Sequence, residues 1–266
     1  MDHVTVRFYA ELNDFLPRER RQVPITYPLA RRTSIKDLIE SLGVPHTEVD
    51  LLLANGESVG FDYLVQPGDR ISVYPVFESL DISPLVRVRP SPLREPRFVL
   101  DTHLGKLAGY LRLLGFDTLY RNNYDDATLA RISADERRIL LTQDRGLLKR
   151  SAVTHGYYVR AASPVEQVRE VVRRFDLAGL IQPFSRCLRC NGRLRPVPKA
   201  AVLERLPPRT RQEYEEFWLC ERCDRVYWQG SHYDRLRALI AELVEQAPGA
   251  LTDLRQRSVP GGEPPG

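Results

Sequence analysis

Along the first 80 residues, the spacing of apolar residues changes from the two-residue alternation of a strand to the spacing of a helix. Apolar and polar residues alternate over residues 4–8, as in a strand with one buried face. Over residues 34–43, apolar positions recur at helical spacing between a serine that can cap the first turn and a glycine that ends the helix. An apolar run then leads into the hairpin signal Asn55-Gly56, and a last strand is predicted at 71–75. This order predicts an α+β β-grasp domain over residues 1–80.

From residue 97 onward, short apolar strands alternate with amphipathic helices. The preceding stretch, residues 81–96, holds four prolines among charged residues, which predicts a linker. Strands are predicted at 98–101, 116–120, 138–144 and 157–160, and helices at 104–114, at 126–137 and from 163. Strands separated by helices are typical of a parallel sheet. The pattern therefore predicts, for residues 97–183, an α/β domain with helices on both faces of a parallel sheet.

The four cysteines of the chain fall into two Cys-x-x-Cys pairs, Cys187 with Cys190 and Cys220 with Cys223. Two residues between a pair of thiolates let one tight turn present both sulfurs to a single ion, and two such turns complete a tetrahedron. We therefore predict a structural zinc ribbon over residues 184–235, with four ligands and no open position. Two disulfides or a redox pair are the alternatives, and a cytosolic location disfavours disulfides.

Charge is distributed unevenly between these regions. Residues 1–80 contain 8 Lys/Arg against 12 Asp/Glu, residues 97–183 contain 14 against 10, and residues 184–235 contain 11 against 7. The second and third regions can therefore approach a polyanion. No apolar run reaches membrane-spanning length and the start lacks a signal-peptide pattern, so we expect a cytoplasmic protein without a membrane segment. Residues 236–266 are expected to form a helix and a disordered tail.

Three carboxylates follow predicted strands. Asp101 and Asp144 each end a strand, and Asp126 begins the helix after the strand between them. Ligands of parallel sheets bind beyond the carboxyl ends of the strands. Like charges at one edge repel unless a cation lies among them, and oxygen ligands suit Mg²⁺ or Mn²⁺. Taken singly, each acid has a simpler interpretation as a cap or turn residue; together they favour a metal site.

These acids lie in segments that resemble a known family. The segments are Phe98-Val-Leu-Asp-Thr-His-Leu-Gly-Lys-Leu-Ala-Gly-Tyr-Leu-Arg-Leu-Leu-Gly-Phe-Asp-Thr-Leu-Tyr120, the pair Asp125-Asp126, and Arg138-Ile-Leu-Leu-Thr-Gln-Asp-Arg-Gly-Leu-Leu-Lys149. They resemble the PIN-like RNase family named for the C-terminal domain of the Mut-seven exonuclease. Its zinc ribbon follows the nuclease domain, and some members begin with a ubiquitin-like domain. The resemblance implies a Mg²⁺- or Mn²⁺-dependent ribonuclease with Asp101, Asp126 and Asp144 as its acids, whose products carry a 5′-phosphate and a 3′-hydroxyl.

Basic residues flank the predicted acids and are candidates for substrate binding. These are Lys106, Arg112, Arg145 and Lys149. Contacts to phosphate would position an RNA strand, although Lys106 and Arg112 equally fit the solvated face of a helix. The ribbon adds arginines and aromatic residues that suit unpaired bases, or that form its core instead: Arg186, Arg189, Arg193, Arg195, Trp218, Tyr227 and Trp228. We expect RNA, single-stranded, as the partner.

Two other functions compete with the ribonuclease. The end of the N-terminal domain, residues 65–76, resembles the sulfur-carrier β-grasp proteins of thiamine and molybdopterin synthesis, but those end in a free Gly-Gly and this chain continues. We therefore expect a docking domain for a protein partner instead of a carrier. The second alternative is a catalytically weak or inactive RNA-binding adaptor that uses the ribbon and the basic surface.

Overall fold

The computed structural model describes residues 2–75, 96–230, 233, 236–238 and 240–241. The chain forms two compact units, the first from residues 1–95 and 125–158 and the second from residues 96–124 and 159–266. Apart from Pro96, the predicted linker lies outside the described residues, and so does most of the predicted helix and tail at 236–266. None of the described helices is long and apolar enough to cross a membrane.

The N-terminal region is a mixed five-stranded sheet with one α-helix. Its elements are β1 (His3–Phe8), β2 (Ile25–Pro28), α1 (Ile35–Ser41), β3 (Leu51–Ala54), β4 (Glu57–Ser58) and β5 (Arg70–Tyr74). The strand order is β2-β1-β5-β3-β4, in which β1 and β5 pair in parallel and the other neighbours are antiparallel. A mixed sheet of this order with a helix after its first hairpin confirms the predicted β-grasp domain.

Local signals place these elements as the sequence predicted. The Ser34 hydroxyl accepts a hydrogen bond from the Asp37 amide (3.1 Å) and so caps α1. Asn55 and Gly56 both adopt positive φ, which matches the turn type that joins two antiparallel strands tightly. The apolar residues of β1 and β5 point into one hydrophobic core with the buried face of α1. Burial of these faces, more than helix or strand propensity, holds the domain together.

The central region alternates parallel strands with helices. Its elements are β6 (Arg97–Leu100), α2 (Gly105–Leu113), β7 (Asp117–Leu119), α3 (Asp126–Asp135), β8 (Ile139–Thr142), α4 (Arg145–Leu148), β9 (Gly156–Tyr158) and α5 (Pro164–Arg174). In the second unit β6 pairs in parallel with β7, and in the first unit β8 pairs in parallel with β9. All four residues of β8 are buried, as in a strand covered on both faces. The α/β prediction is confirmed.

Helix α2 ends at a glycine that no other residue can replace without strain. Gly115 has a φ of +95°, and a Cβ built on it would lie 2.2 Å from the carbonyl oxygen of Gln182. The chain therefore turns sharply and returns into β7, while residues 182–184 pack against the end of the helix.

The C-terminal region is a three-stranded antiparallel sheet with a helical insertion. Its strands are β10 (Leu194–Val197), β11 (Phe217–Cys220) and β12 (Val226–Tyr227), and α6 (Pro208–Glu213) lies in the connection between the first two. Val197, Val202, Leu206 and Phe217 form a small hydrophobic core. The sequence predicted the ribbon but not this insertion, whose short helical turns carry no clear hydrophobic period.

Candidate functional site

The four cysteine sulfurs lie together, as predicted. Their Sγ atoms are all within 4.8 Å of one another, with 3.6 Å between Cys187 and Cys223 and 3.4 Å between Cys190 and Cys220. None of the four is in a disulfide. Around a zinc ion with Zn–S bonds of about 2.3 Å, tetrahedral sulfurs would be about 3.8 Å apart. The four thiols therefore form a group that can hold one tetrahedral metal ion.

Two turns of the same shape present these sulfurs. We call residues 187–192 and 220–225 the first and second knuckle. The Asn191 amide donates to the Cys187 carbonyl (2.9 Å), and the Asp224 amide donates to the Cys220 carbonyl (3.0 Å). Asn191 and Asp224 both adopt positive φ, a conformation that Asn and Asp tolerate better than most residues. A polar residue of this type directly after each Cys-x-x-Cys was a signal of paired knuckles in the sequence.

Gly192 lets the two knuckles approach each other. A Cβ at this position would lie 2.7 Å from the Cβ of Arg222 and 2.8 Å from the Sγ of Cys220. Neither atom can move away without displacing the second knuckle, so a glycine is needed here.

Tyr227 contacts one of the four cysteines directly, with its hydroxyl 2.9 Å from the Sγ of Cys187. Burial opposes ionisation of the Cys187 thiol, but hydrogen bonds from Tyr227 and from backbone amides outweigh it and lower the pKa of this thiol to about 7. Burial raises the pKa of Cys190 to about 12. Burial and the hydrogen bond to Cys187 together raise the pKa of Tyr227. Its hydroxyl therefore stays protonated and donates the hydrogen bond to the sulfur. A cation among the sulfurs would favour the thiolate at every position.

Arg112 ties the first knuckle to helix α2. Its guanidinium is buried; Nε donates to the Thr118 carbonyl (3.0 Å), and Nη1 donates to the carbonyls of Leu188 (2.9 Å) and Arg189 (3.1 Å). Burial lowers the pKa of Arg112, while negative charge on Cys187 and Cys190 opposes that shift. These contacts give this residue, predicted as a phosphate contact, a structural role.

The side chain of Asn191 forms two hydrogen bonds with residues of β7. Its Oδ1 accepts from the Thr118 amide (2.9 Å), and its Nδ2 donates to the Asp117 carboxylate (2.8 Å). Arg186 adds bonds from Nε to the Gly115 carbonyl (3.1 Å) and from Nη1 to the Asn191 carbonyl (3.0 Å). The first knuckle is thus bonded to both α2 and β7. The sequence did not indicate this role for Asn191 or Arg186.

Each predicted acid has a defined local setting. Asp101 directly follows β6 in the second unit; it is buried, and its Oδ1 accepts from the Thr102 amide (2.5 Å). Asp144 belongs to the first unit and caps α4 through Oδ1, which accepts from the Gly146 amide (2.6 Å). Its side chain is exposed. An oriented, solvent-accessible carboxylate of this kind fits a hard cation such as Mg²⁺.

Asp126, also in the first unit, is the first residue of α3, but it does not cap that helix. The cap is Asp125, whose Oδ1 accepts from the Thr128 amide (2.7 Å). Hydrogen bonds from the Thr128 hydroxyl and then from its amide lower the pKa of Asp125. The interpretation of Asp126 as a capping residue is therefore wrong. Its Oδ2 lies 3.4 Å from Arg150, and both side chains are about half exposed, so the ion pair is weak. Among the described residues, Asp126 therefore has neither a capping role nor a strong ion pair.

The other predicted substrate-binding residues differ in what they contact. Lys106 is exposed on α2. Arg145 donates to the Phe15 carbonyl (3.2 Å), and the Nζ of Lys149 donates to the Glu40 carbonyl (2.8 Å). Both therefore contact the β-grasp domain.

The ribbon separates its arginines from its aromatic residues. Arg189, Arg193, Arg195, Arg222 and Arg225 are exposed. Trp218 is buried, Trp228 packs against the ribbon core, and Tyr227 is half-buried with its hydroxyl on Cys187. The burial of Trp218 agrees with a core role, whereas Trp228 is partly buried where it packs against the ribbon core. The ribbon therefore presents exposed cationic side chains beside partly buried aromatic rings.

Two family models match the chain in the order that the structure shows. The model described as the Mut7-C RNAse domain matches residues 96–240, which is more than half of the chain. The model described as Mut7-C ubiquitin matches residues 1–81. The chain belongs to the Mut7-C RNase family. Neither the search of curated proteins nor that of solved structures returned a match.

Membership of the Mut7-C RNase family implies a nuclease-type function and RNA as a partner, and the ubiquitin-like domain implies a protein interaction. The matched region of the RNase model contains all three predicted acids and all four cysteines. The resemblance drawn from the sequence is confirmed at the level of the family and of the domain order.

Proposed function

We propose that this protein is a metal-dependent ribonuclease that hydrolyses RNA phosphodiester bonds. The observation that carries the proposal is the match of the Mut7-C RNase model over residues 96–240. The positive charge of the central and C-terminal regions agrees with a polyanionic substrate. The exposed arginines of the ribbon and Lys106 on α2 are the cations that single-stranded RNA would meet first.

The proposed catalytic ligands are Asp101, Asp126 and Asp144. Each follows a parallel strand, Asp101 and Asp144 are held by backbone amides, and all three offer the oxygen atoms that Mg²⁺ and Mn²⁺ prefer. A bound ion would activate water and stabilise charge on the phosphodiester. The role of the protein is to hold these carboxylates oriented and to position the RNA strand through its cations.

For the cysteine cluster we propose zinc in a structural role. Four thiolates fill a tetrahedral site and leave no position for substrate. The bonds from Arg112 and Asn191 support this, since they connect the first knuckle to α2 and β7. An ion there would stabilise the nuclease domain as well as the ribbon.

Loss of one acid should abolish cleavage without unfolding the protein. Purified full-length protein is incubated with single-stranded and duplex RNA, with Mn²⁺ or with a chelator. Wild-type protein should cut only with the ion. Asp144→Asn should lower the cleavage rate by at least about 100-fold, because it removes a negative charge at the ion. The matched control is Asp135→Asn, an exposed aspartate at the end of α3, which should cut at the wild-type rate.

The second candidate, an RNA-binding adaptor, is favoured by the exposed arginines of the ribbon. In that case the wild-type protein binds single-stranded RNA in a salt-dependent manner and never cuts it. Cleavage at equal rates by wild type and Asp144→Asn would exclude the proposed site.

A further inference from the structure

The β-grasp domain contacts residues 145–158 of the same chain, which we call the α4–β9 segment. The guanidinium of Arg145 lies over two rings, 5.0 Å from the centre of Phe15 and 5.5 Å from that of Tyr158. It also donates to the carbonyls of Phe15 (3.2 Å) and Asp14 (3.4 Å). Aromatic faces and carbonyl oxygens together satisfy a guanidinium well. Arg145 is therefore held on several sides by the β-grasp domain.

Buried polar groups join the same two parts of the chain. Glu48 is 1% exposed, and its Oε1 accepts from the Tyr158 amide (2.6 Å). His46 is 6% exposed and bridges Oε1 of Glu40 (2.6 Å) and the carbonyl of Val153 (2.9 Å). Buried polar groups are tolerated when such bonds satisfy them and are costly when a partner is removed. Separation of the segment from the domain would break these bonds.

The hydrophobic core of the β-grasp domain also includes the end of the segment. Tyr158 packs against that core and meets Phe15 edge to face, with 5.5 Å between the ring centres. A contact that combines shared core and buried, paired polar groups resembles a permanent interface more than a transient one. This face of the domain is thus occupied by a segment of the same chain.

The segment holds the helix that Asp144 caps. Helix α4 has only four residues, far fewer than a helix needs to be stable by itself. Its position depends on tertiary contacts, which include Arg145 at its start and Lys149 directly after its end, both bonded to the β-grasp domain. Asp144 in turn is oriented by the Gly146 amide of the same helix.

We propose that the β-grasp domain is a positioning element of the nuclease: it fixes α4, and thereby the carboxylate of Asp144, through Arg145 and Lys149. The catalytic part of this inference rests on the proposed function. Arg145 and Lys149 are then positioning residues that act through Asp144. If the domain instead covered Arg145 and Lys149 as cations needed for RNA, it would inhibit cleavage. Weakening its contact with α4 would then speed cleavage, whereas loss of positioning would slow it.

The test removes one ring from the contact in the full-length protein. Phe15→Leu eliminates the face that Arg145 and Tyr158 contact, and Phe8→Leu removes a similarly buried ring on β1 of the same core as a control. We expect the amides of Gly146 and Leu147 to exchange hydrogen about 10-fold faster in Phe15→Leu than in the control, because α4 is released. With Mn²⁺, kcat on RNA should fall about 10-fold with little change in KM.

Equal exchange in the two variants would overturn the proposal, and so would faster cleavage by Phe15→Leu, which would indicate inhibition by the β-grasp domain. If wild-type protein cuts no RNA, the proposed function fails, while the exchange measurement still decides whether the domain holds α4. Lys149→Met provides a second variant if Phe15→Leu does not fold. A residue that only touched RNA would leave exchange in α4 unchanged, so faster exchange supports positioning.

Discussion

Single side chains around the cysteine cluster determine how firmly it can hold an ion. Tyr227 is the clearest example, because its hydroxyl lies 2.9 Å from the Sγ of Cys187 and donates to it. Hydrogen bonds from such outer residues orient a ligand and disperse its negative charge. The same bond contributes to the lowered pKa of Cys187, and so favours the form of the thiol that binds metal.

Tyr227→Phe should weaken zinc binding while the ribbon remains folded. The substitution removes one hydroxyl and keeps the ring, so the apparent zinc affinity should fall roughly 10-fold, the lower end of the effect of outer-shell partners. Competition with a chromophoric chelator measures it. Tyr214→Phe is the control, since Tyr214 packs against the ribbon core without a contact to a cysteine sulfur among those described. Equal affinities of the two variants would contradict the role of Tyr227.

Residue spacing predicted the ligands but not the residues that support them. Two Cys-x-x-Cys pairs identify four sulfurs because the turn geometry is local. The bond of Tyr227 to Cys187 joins residues 40 positions apart, and that of Arg112 to Leu188 joins residues 76 apart, so neither follows from local pattern. Arg112 did carry one signal: it lies four positions after Ala108, beside the apolar stripe of α2, where a buried cation needs partners.

At the scale of elements, helix α2 depends on the first knuckle. The last turn of α2 carries the buried Arg112, whose guanidinium donates to the partly buried carbonyls of Leu188 and Arg189 in the knuckle. The Thr118 amide of strand β7 donates to Oδ1 of Asn191 in the same knuckle (2.9 Å). The second unit thus couples its cysteine cluster to α2 and β7 through bonds between side chains and backbone groups.

Arg112→Leu should destabilise the second unit by about 2–4 kcal/mol. The change leaves the buried Thr118 carbonyl and the partly buried carbonyls of Leu188 and Arg189 without a charged donor. Each such bond contributes on the order of 1.5–3 kcal/mol with incomplete additivity. Denaturant unfolding followed by tryptophan fluorescence reports it, since Trp218 and Trp228 lie in the ribbon. Lys106→Met, an exposed position on the same helix, should change stability by less than about 0.5 kcal/mol. An unchanged free energy of unfolding in Arg112→Leu would mean that water replaces the hydrogen bonds of the guanidinium.

The types of the elements were more predictable than their limits. The helix predicted at 126–137 ends at Asp135, and the strand predicted at 116–120 is Asp117–Leu119, because caps and tertiary contacts set the ends. Ser163-Pro164 correctly marks the start of α5, where the Ser163 hydroxyl accepts from the Glu166 amide. Helix α6 was missed because its polar sequence, Pro-Arg-Thr-Arg-Gln-Glu, has no apolar stripe.

At the scale of the whole chain, the compact units differ from the regions into which composition divides the sequence. Pattern places a boundary in the proline-rich stretch before residue 97, yet residues 125–158 belong to the same unit as residues 1–95. The bonds that join them connect residues more than 100 positions apart, such as Arg145 to Phe15 and His46 to Val153. Sequence periodicity reports which face of an element is buried but not which neighbour buries it.

The proposed divalent ion should stabilise the folded chain even without RNA. An ion that binds only the folded state at 100 times its Kd adds about 2.7 kcal/mol, which corresponds to a rise in Tm of roughly 5–10 °C for a chain of this size. Asn at position 101, 126 or 144 removes one charged ligand and should reduce the rise with Mn²⁺, whereas Asp135→Asn should keep it. Differential scanning fluorimetry with a metal-free reference measures this.

The three variants also separate metal binding from the loss of a structural bond. Asp101 and Asp144 accept hydrogen bonds from backbone amides, and an Asn oxygen retains an acceptor there, so both variants should melt near the wild type in a chelator. Asp126 forms a weak, half-exposed ion pair with Arg150, so the Asp126→Asn variant should also melt near the wild type in a chelator. Equal Mn²⁺ shifts in wild type and all three variants would place the ion elsewhere. If the variants already melt below the wild type in a chelator, the acids are structural, because their effect on Tm then does not depend on the metal.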